Sequence, residues 1–215
     1  MIRDQAALDA AVGDLVERDP SIARQIEAHG FPLLWTRPAG FSTLVLLILE
    51  QQVSLASAAA TYRKILARLG EMTPDRVLAT SVEDLRADGV SRQKDRYLRV
   101  LATALGDGTL DLASLDGLDD LAARRHLTAL PGIGPWTADA YLLACLGRPD
   151  VWPVGDRALQ VAAAEALDLP DVPDQAELER IGERWRPLRA VAAQVLWHGY
   201  LERRGRTSAI GDDLL

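Results

Sequence analysis

Helix starts and stops recur at short intervals along this chain, while strand signals are almost absent. Asp4 precedes an apolar-periodic stretch as an N-cap, and Asp19-Pro20 joins a cap to a proline at the first helical position. The almost wholly apolar segment from Phe41 to Glu50 reads as a buried helix. Ser54 opens a helix to about Leu69, closed by Gly70, and Thr73-Pro74 and Ser81 open two short ones. Gly89 breaks the second of these. Ser91 then opens a helix to Gly106 with apolar residues at 98, 101, 102 and 105. Further helices are predicted over about 118–127, from Pro135 to Gly147, after the cap Asp156, from Asp174 to near Arg186, and from Pro187 to about Arg204. About ten helices with short connections predict an all-α orthogonal bundle.

Composition narrows the chemistry. Of 215 residues 48% are hydrophobic, enough for an ordinary core, yet apolar runs such as Leu44 to Leu49 are too short to cross a bilayer. The N-terminal residues have neither a basic nor an apolar signal region, so the expected location is the cytoplasm, away from membranes. Cys145 is the single cysteine, which excludes an internal disulfide and a four-cysteine zinc or iron–sulfur site. His29, His126 and His198 show no ligand spacing, so neither a metal nor a cofactor is expected. The net charge of −7 weighs against nucleic acid as a partner. The basic residues are nevertheless almost all arginine, with only Lys64 and Lys94 as lysines, and six arginines fall between Arg184 and Arg206. Composition alone leaves a local basic face and a merely solvated helix equally open.

The segment Leu130-Pro-Gly-Ile-Gly-Pro-Trp-Thr-Ala138 is the most specific in the chain. Gly132 and Gly134 permit positive φ, and they remove side chains that would keep a ligand from the backbone. The amides of residues 132 to 136 are then expected to point outward at a helix start, where the dipole favours an anion such as a DNA phosphate. Ile133 is expected to anchor the turn in the core. A bare G-x-G would equally serve a packed αα-corner.

The full string closely resembles the hairpin of the helix-hairpin-helix DNA glycosylase superfamily, in particular its 3-methyladenine glycosylase branch. In that superfamily a Gly/Pro-rich turn and a catalytic aspartate follow the hairpin, and Asp150-Val-Trp-Pro-Val-Gly-Asp156 supplies both, with Asp156 22 residues beyond Gly134. Leu47-Ile-Leu-Glu-Gln-Gln-Val-Ser54, Gly89-Val-Ser-Arg-Gln-Lys-Asp-Arg-Tyr-Leu98, and Arg184 through His198 resemble further segments of the same fold. The resemblance implies a single glycosylase unit over 1–215, with two helical subdomains flanking a cleft. One subdomain spans about 36–150 with the hairpin at 130–136, the other 1–35 plus 151–215. At this length the extra N-terminal domain of some family members is not expected.

The same resemblance implies that duplex DNA with damaged bases is the partner and a monomer the working form. Asp156 is the expected catalytic group, since a carboxylate beside C1′ stabilises an oxocarbenium-like transition state and orients water. Read without the resemblance, Asp156 is an ordinary helix cap. Gly132, Ile133, Gly134 and Thr137 are the expected hairpin contacts to DNA, and Gln52 the residue that enters the duplex. Trp136 and Trp197 match base-pocket positions, where an indole face attracts a cationic alkylated purine. A pocket tyrosine of some relatives falls at Ala140, and Tyr141 beside it is expected to compensate in part. His198 is expected at the pocket wall, and Trp35, Trp152 and Trp185 in the core. Strand-cutting members carry a hairpin lysine where Trp136 stands, so the expected enzyme is monofunctional, hydrolysing the bond to alkylated purines and leaving an abasic site. Excision of deaminated or oxidised bases, and non-catalytic DNA binding through the hairpin, remain the alternatives.

Overall fold

A computed structural model of the protein describes residues 1–206, and among them there is no strand. The helices are α1 (Gln5–Arg18), α2 (Pro20–His29), α3 (Phe41–Glu50), α4 (Leu55–Leu69), α5 (Pro74–Ala79) and α6 (Val82–Ala87). They continue with α7 (Arg92–Gly106), α8 (Asp120–Thr128), α9 (Pro135–Ala144), α10 (Arg157–Ala166), α11 (Gln175–Gly182) and α12 (Arg189–Glu202). Short 3₁₀ turns occupy Ala113–Gly117 and Glu183–Trp185. The fold is the all-α bundle that the capping pattern predicts.

Nine helices begin on an Asp, Ser or Thr whose side chain accepts a first-turn amide: Asp4, Asp19, Ser54, Thr73, Ser81, Ser91, Asp119, Asp156 and Asp174. Each such cap contributes about 1 kcal/mol and fixes where its helix starts. Boundaries depart from the sequence reading where another device takes over. The 3₁₀ turn at Glu183–Trp185 intervenes after α11, so the last helix starts at Arg189 and not at Pro187. α9 stops at Ala144, before Gly147, whose left-handed φ of 62° brings it against the Ile2 backbone, where the Ile2 amide donates to the Gly147 carbonyl at 2.7 Å. In α7 the buried stripe runs through Leu98, Leu101, Ala102 and Ala104, while Leu105 is only half-buried.

The chain divides into two compact units. Of the described residues, the first comprises Met1–Thr36 and 142–206; the second is Arg37–Tyr141. In the second unit α3 is the central helix, buried at nine of its ten positions, with α4 and α7 packed on it and α5 and α6 on α7. The first unit packs α12 against α10, α2 and α1 around Leu8, Val12, Leu15, Ile22, Leu159 and Leu196, with Trp152 and Trp185 fully enclosed. No helix of the described chain is long and apolar enough to cross a membrane.

Candidate active site

In the second unit, residues 129–134 reverse the chain between α8 and α9. Gly132 takes φ 99°, and a Cβ there would overlap the Tyr97 ring, so both backbone and packing demand glycine. Gly134 differs: its φ is not left-handed, and a Cβ would meet nothing within 4 Å. Neither its backbone conformation nor its packing requires glycine there. Ile133 is buried between them, as expected of an anchor. The expected row of outward amides is shorter than the sequence suggests, because the Ile133 amide donates to the Leu130 carbonyl at 3.1 Å and Pro135 has no N–H. The Gly132 and Gly134 amides donate to no described backbone group and lie at the positive end of α9. Thr137 is 1% exposed, and its hydroxyl accepts from the Gln51 side chain at 3.0 Å. Its side chain braces the hairpin from within and is not a phosphate ligand.

The turn after α3 lies in the same unit. Gln52 is exposed and sits at φ 58°, a left-handed conformation that side chains other than Gly, Asn and Asp rarely take. Val53 and Leu55 beside it are also exposed. The residues before it are tightly held. Glu50 is buried and accepts two bonds from Arg37, at 2.7 and 3.0 Å. The Gln51 side-chain Nε2 donates to the Gly132 carbonyl at 2.8 Å as well as to the Thr137 hydroxyl. The Lys94 ammonium donates to the Leu49 and Gln51 carbonyls at 2.6 and 3.0 Å, and burial pushes its pKa below the usual lysine range. Sequence reasoning passed over Gln51 and Lys94. The available signal was the rarity of lysine: a chain that otherwise uses arginine keeps Lys94 where a compact charge must reach two carbonyls.

In the first unit, Asp156 is the N-cap of α10 and is half-buried. One carboxylate oxygen accepts the Leu159 amide at 2.7 Å and the Trp197 indole N–H at 3.2 Å. Both donors converge on this one oxygen, at the positive end of the α10 dipole. Trp197, half-buried on α12, packs edge-on against Trp35, with ring centroids 5.5 Å apart at 90°. The Trp35 amide is held by the Gln194 side chain at 3.0 Å. Trp35 is half-buried and packs with Trp197 on the core cluster of Leu143, Ala144 and Ala190, as the core expectation has it, and it adjoins Asp156 only through Trp197. Trp152 and Trp185 are core residues, as expected.

Two expected pocket residues are placed elsewhere. Tyr141 is fully buried and its hydroxyl accepts the Gly40 amide at 2.9 Å, so it positions the start of α3. His198 points to the C-terminal end of α2, where its Nε2–H donates to the His29 carbonyl at 2.9 Å. One residue along a helix turns a side chain through about 100°, and this separates it from Trp197. Trp136 lies half-buried on the first turn of α9. Among the described residues no group of three or more His, Cys, Asp or Glu side chains is arranged to hold a metal ion.

An all-helical chain whose glycine turn leads into a helix N-terminus, followed by a capped aspartate under an indole, is of the helix-hairpin-helix class. The model of the HhH-GPD superfamily of base excision DNA repair proteins matches residues 45–187, and the chain belongs to that superfamily. It is 36% identical over 70% of its length to a Mycobacterium tuberculosis protein named as a probable bifunctional transcriptional activator/DNA repair enzyme, of which it spans 31%. Among solved structures, it is similar to a DNA-3-methyladenine glycosidase from Bacillus halodurans, with 32% identity, 91% of each chain covered and a TM-score of 0.77. It is also similar to the 3-methyladenine DNA glycosylase of Schizosaccharomyces pombe in complex with abasic DNA, with 25% identity, 87% of this chain and 95% of that one covered, and a TM-score of 0.78.

Proposed function

We propose that this protein is a monofunctional DNA glycosylase that releases alkylated purines, of the 3-methyladenine and 7-methylguanine type, from duplex DNA. The observation that carries the reading is the Asp156 carboxylate, an N-cap shared between the Leu159 amide and the Trp197 indole. The likeness to solved 3-methyladenine glycosylases, one of them bound to abasic DNA, supports the same substrate class.

A base within the stack is out of reach, so the nucleotide must be extruded. In this reading the Gly132 and Gly134 amides and the first turn of α9 hold a backbone phosphate, with Ile133 and Thr137 as internal supports. Gln52 enters the duplex where the nucleotide leaves. Trp136 and Trp197 border the base, whose positive charge draws it to an indole face by about 0.5–2 kcal/mol. That charge also makes the base a good leaving group. The C1′–N bond breaks with its electron pair departing on the base. Asp156 stabilises the positive charge left on the sugar and takes a proton from the water whose oxygen bonds to C1′. The Lys94 ammonium is turned to two carbonyls inside its own unit, and Trp136 stands where a hairpin lysine would be. Water is therefore the nucleophile, an abasic site the product, and one protein molecule acts per lesion.

The test is incubation with duplexes carrying 3-methyladenine, 7-methylguanine, deaminated or oxidised bases. Free alkylated base and alkali-labile abasic DNA are expected. No release from either alkylated duplex would overturn the substrate class, and a protein–DNA adduct trapped by borohydride would overturn the hydrolytic mechanism.

A further inference from the structure

The geometry points to Lys94 as the positioning residue of the duplex-entering turn: it holds the end of α3 so that Gln52 stands outward in its left-handed conformation. The inference rests on the reading of Gln52 as the residue that enters DNA. The last carbonyls of a helix have no donors within it, and the first residue beyond is ordinarily free to relax. Here it is not. Three consecutive residues are each fastened by a different partner: Glu50 by Arg37, the Gln51 side chain by Gly132 and Thr137, and the Leu49 and Gln51 carbonyls by Lys94. The next residue, Gln52, is exposed and at φ 58°.

A turn that only reversed the chain would place Gly or Asn at such a backbone position and would need no rigid root. A side chain that must displace a base gains from the opposite arrangement, a fixed base and an exposed tip, because ordering the turn is then complete before DNA arrives. Lys94 suits the root better than arginine would. Its ammonium directs separate donors at two carbonyls two residues apart, where a guanidinium presents a planar fork. Charge contributes too, since a cation beside the C-terminal end of α3 opposes the negative end of its dipole.

The experiment reads insertion directly. A duplex with a tetrahydrofuran abasic analogue opposite 2-aminopurine is titrated with the full chain, and the fluorescence change at saturation is recorded. Gln52→Ala is expected to abolish most of that change. Lys94→Met is expected to reduce it by about fivefold, with duplex affinity altered less than about threefold, because phosphate contacts lie elsewhere. Adding Lys94→Met to Gln52→Ala is expected to change nothing further. Full amplitude in Lys94→Met, or a further loss in the double variant, would show that Lys94 does not act through Gln52. Full amplitude in Gln52→Ala would remove the inserting residue itself, a failure visible separately from that of Lys94. If Lys94→Met melts early, Lys94→Arg carries the same test: reduced amplitude supports the assignment and wild-type amplitude overturns it.

Discussion

The first unit contains the same small constellation twice. In each, an aspartate caps a helix, accepts a tryptophan N–H, and that tryptophan meets a second one edge-on. Around Asp19, the cap of α2, the rings are Trp185 and Trp152, 5.4 Å apart; around Asp156 they are Trp197 and Trp35, 5.5 Å apart. What differs is access. Asp19 is 6% exposed, and its two oxygens take the Ser21 amide and hydroxyl, the Trp185 indole at 3.0 Å and Arg184 at 2.9 Å. Asp156 is half-buried, with its Trp197 and Trp35 neighbours also reaching solvent. The same cap-and-indole motif thus makes a structural keystone in one place and a candidate catalyst in the other, separated by burial and by the Ser21 and Arg184 bonds at Asp19.

That contrast is broken most severely at the aspartates. Asp156→Asn keeps a capping side chain, so excision should fall about 10²–10⁴-fold while the melting temperature barely moves. Asp19→Asn should do the reverse, costing about 1–3 kcal/mol of stability and sparing excision below the melting temperature. Single-turnover excision and denaturant unfolding on both variants decide this; equal activity losses would dissolve the distinction. The indoles come next. Trp197→Phe removes the donor but keeps a ring, and excision should drop about tenfold. Trp185→Phe should instead lower stability by about 1–2 kcal/mol.

The smallest effect is in pH. Burial alone raises the Asp19 carboxyl, but the Ser21 hydroxyl and amide with Arg184 outweigh it and hold the group below the usual aspartate range. A lowered folded-state pKa means that the unfolded chain binds the proton more readily. The stabilisation is then complete above the unfolded value of about 3.9 and is lost as pH falls through the folded one. Urea unfolding followed below about pH 4 should show this acid limb in the parent and a flatter one in Asp19→Asn. An unchanged slope would mean that Asp19 is not held as described.

The sequence carried what is local. An N-cap is written within four residues, so the starts of α1, α2, α4 and α10 could be read directly, and so could Asp156 as the cap of α10. The hairpin was equally legible, though not the difference between its glycines: Gly132 is fixed by Tyr97, which lies far away in sequence. Long-range bonds left no local mark. Trp197 meets Asp156 across 41 residues, Trp35 meets Gln194 across 159, and Lys94 meets Leu49 across 45. The partners of His198 and Tyr141 left no local mark either, since helix phase and distant residues decide which way a side chain turns.

The left-handed backbone at Gln52 sets a limit on how this protein can be improved. A non-glycine residue held there costs about 1 kcal/mol, so a selection for heat resistance alone would be expected to favour Gly or Asn at that position. Both would relax the turn, and both would shorten or erase the side chain proposed to enter DNA. Thermostability and lesion processing are therefore opposing demands at this single residue, and libraries screened only for survival on heating would be expected to drift away from repair.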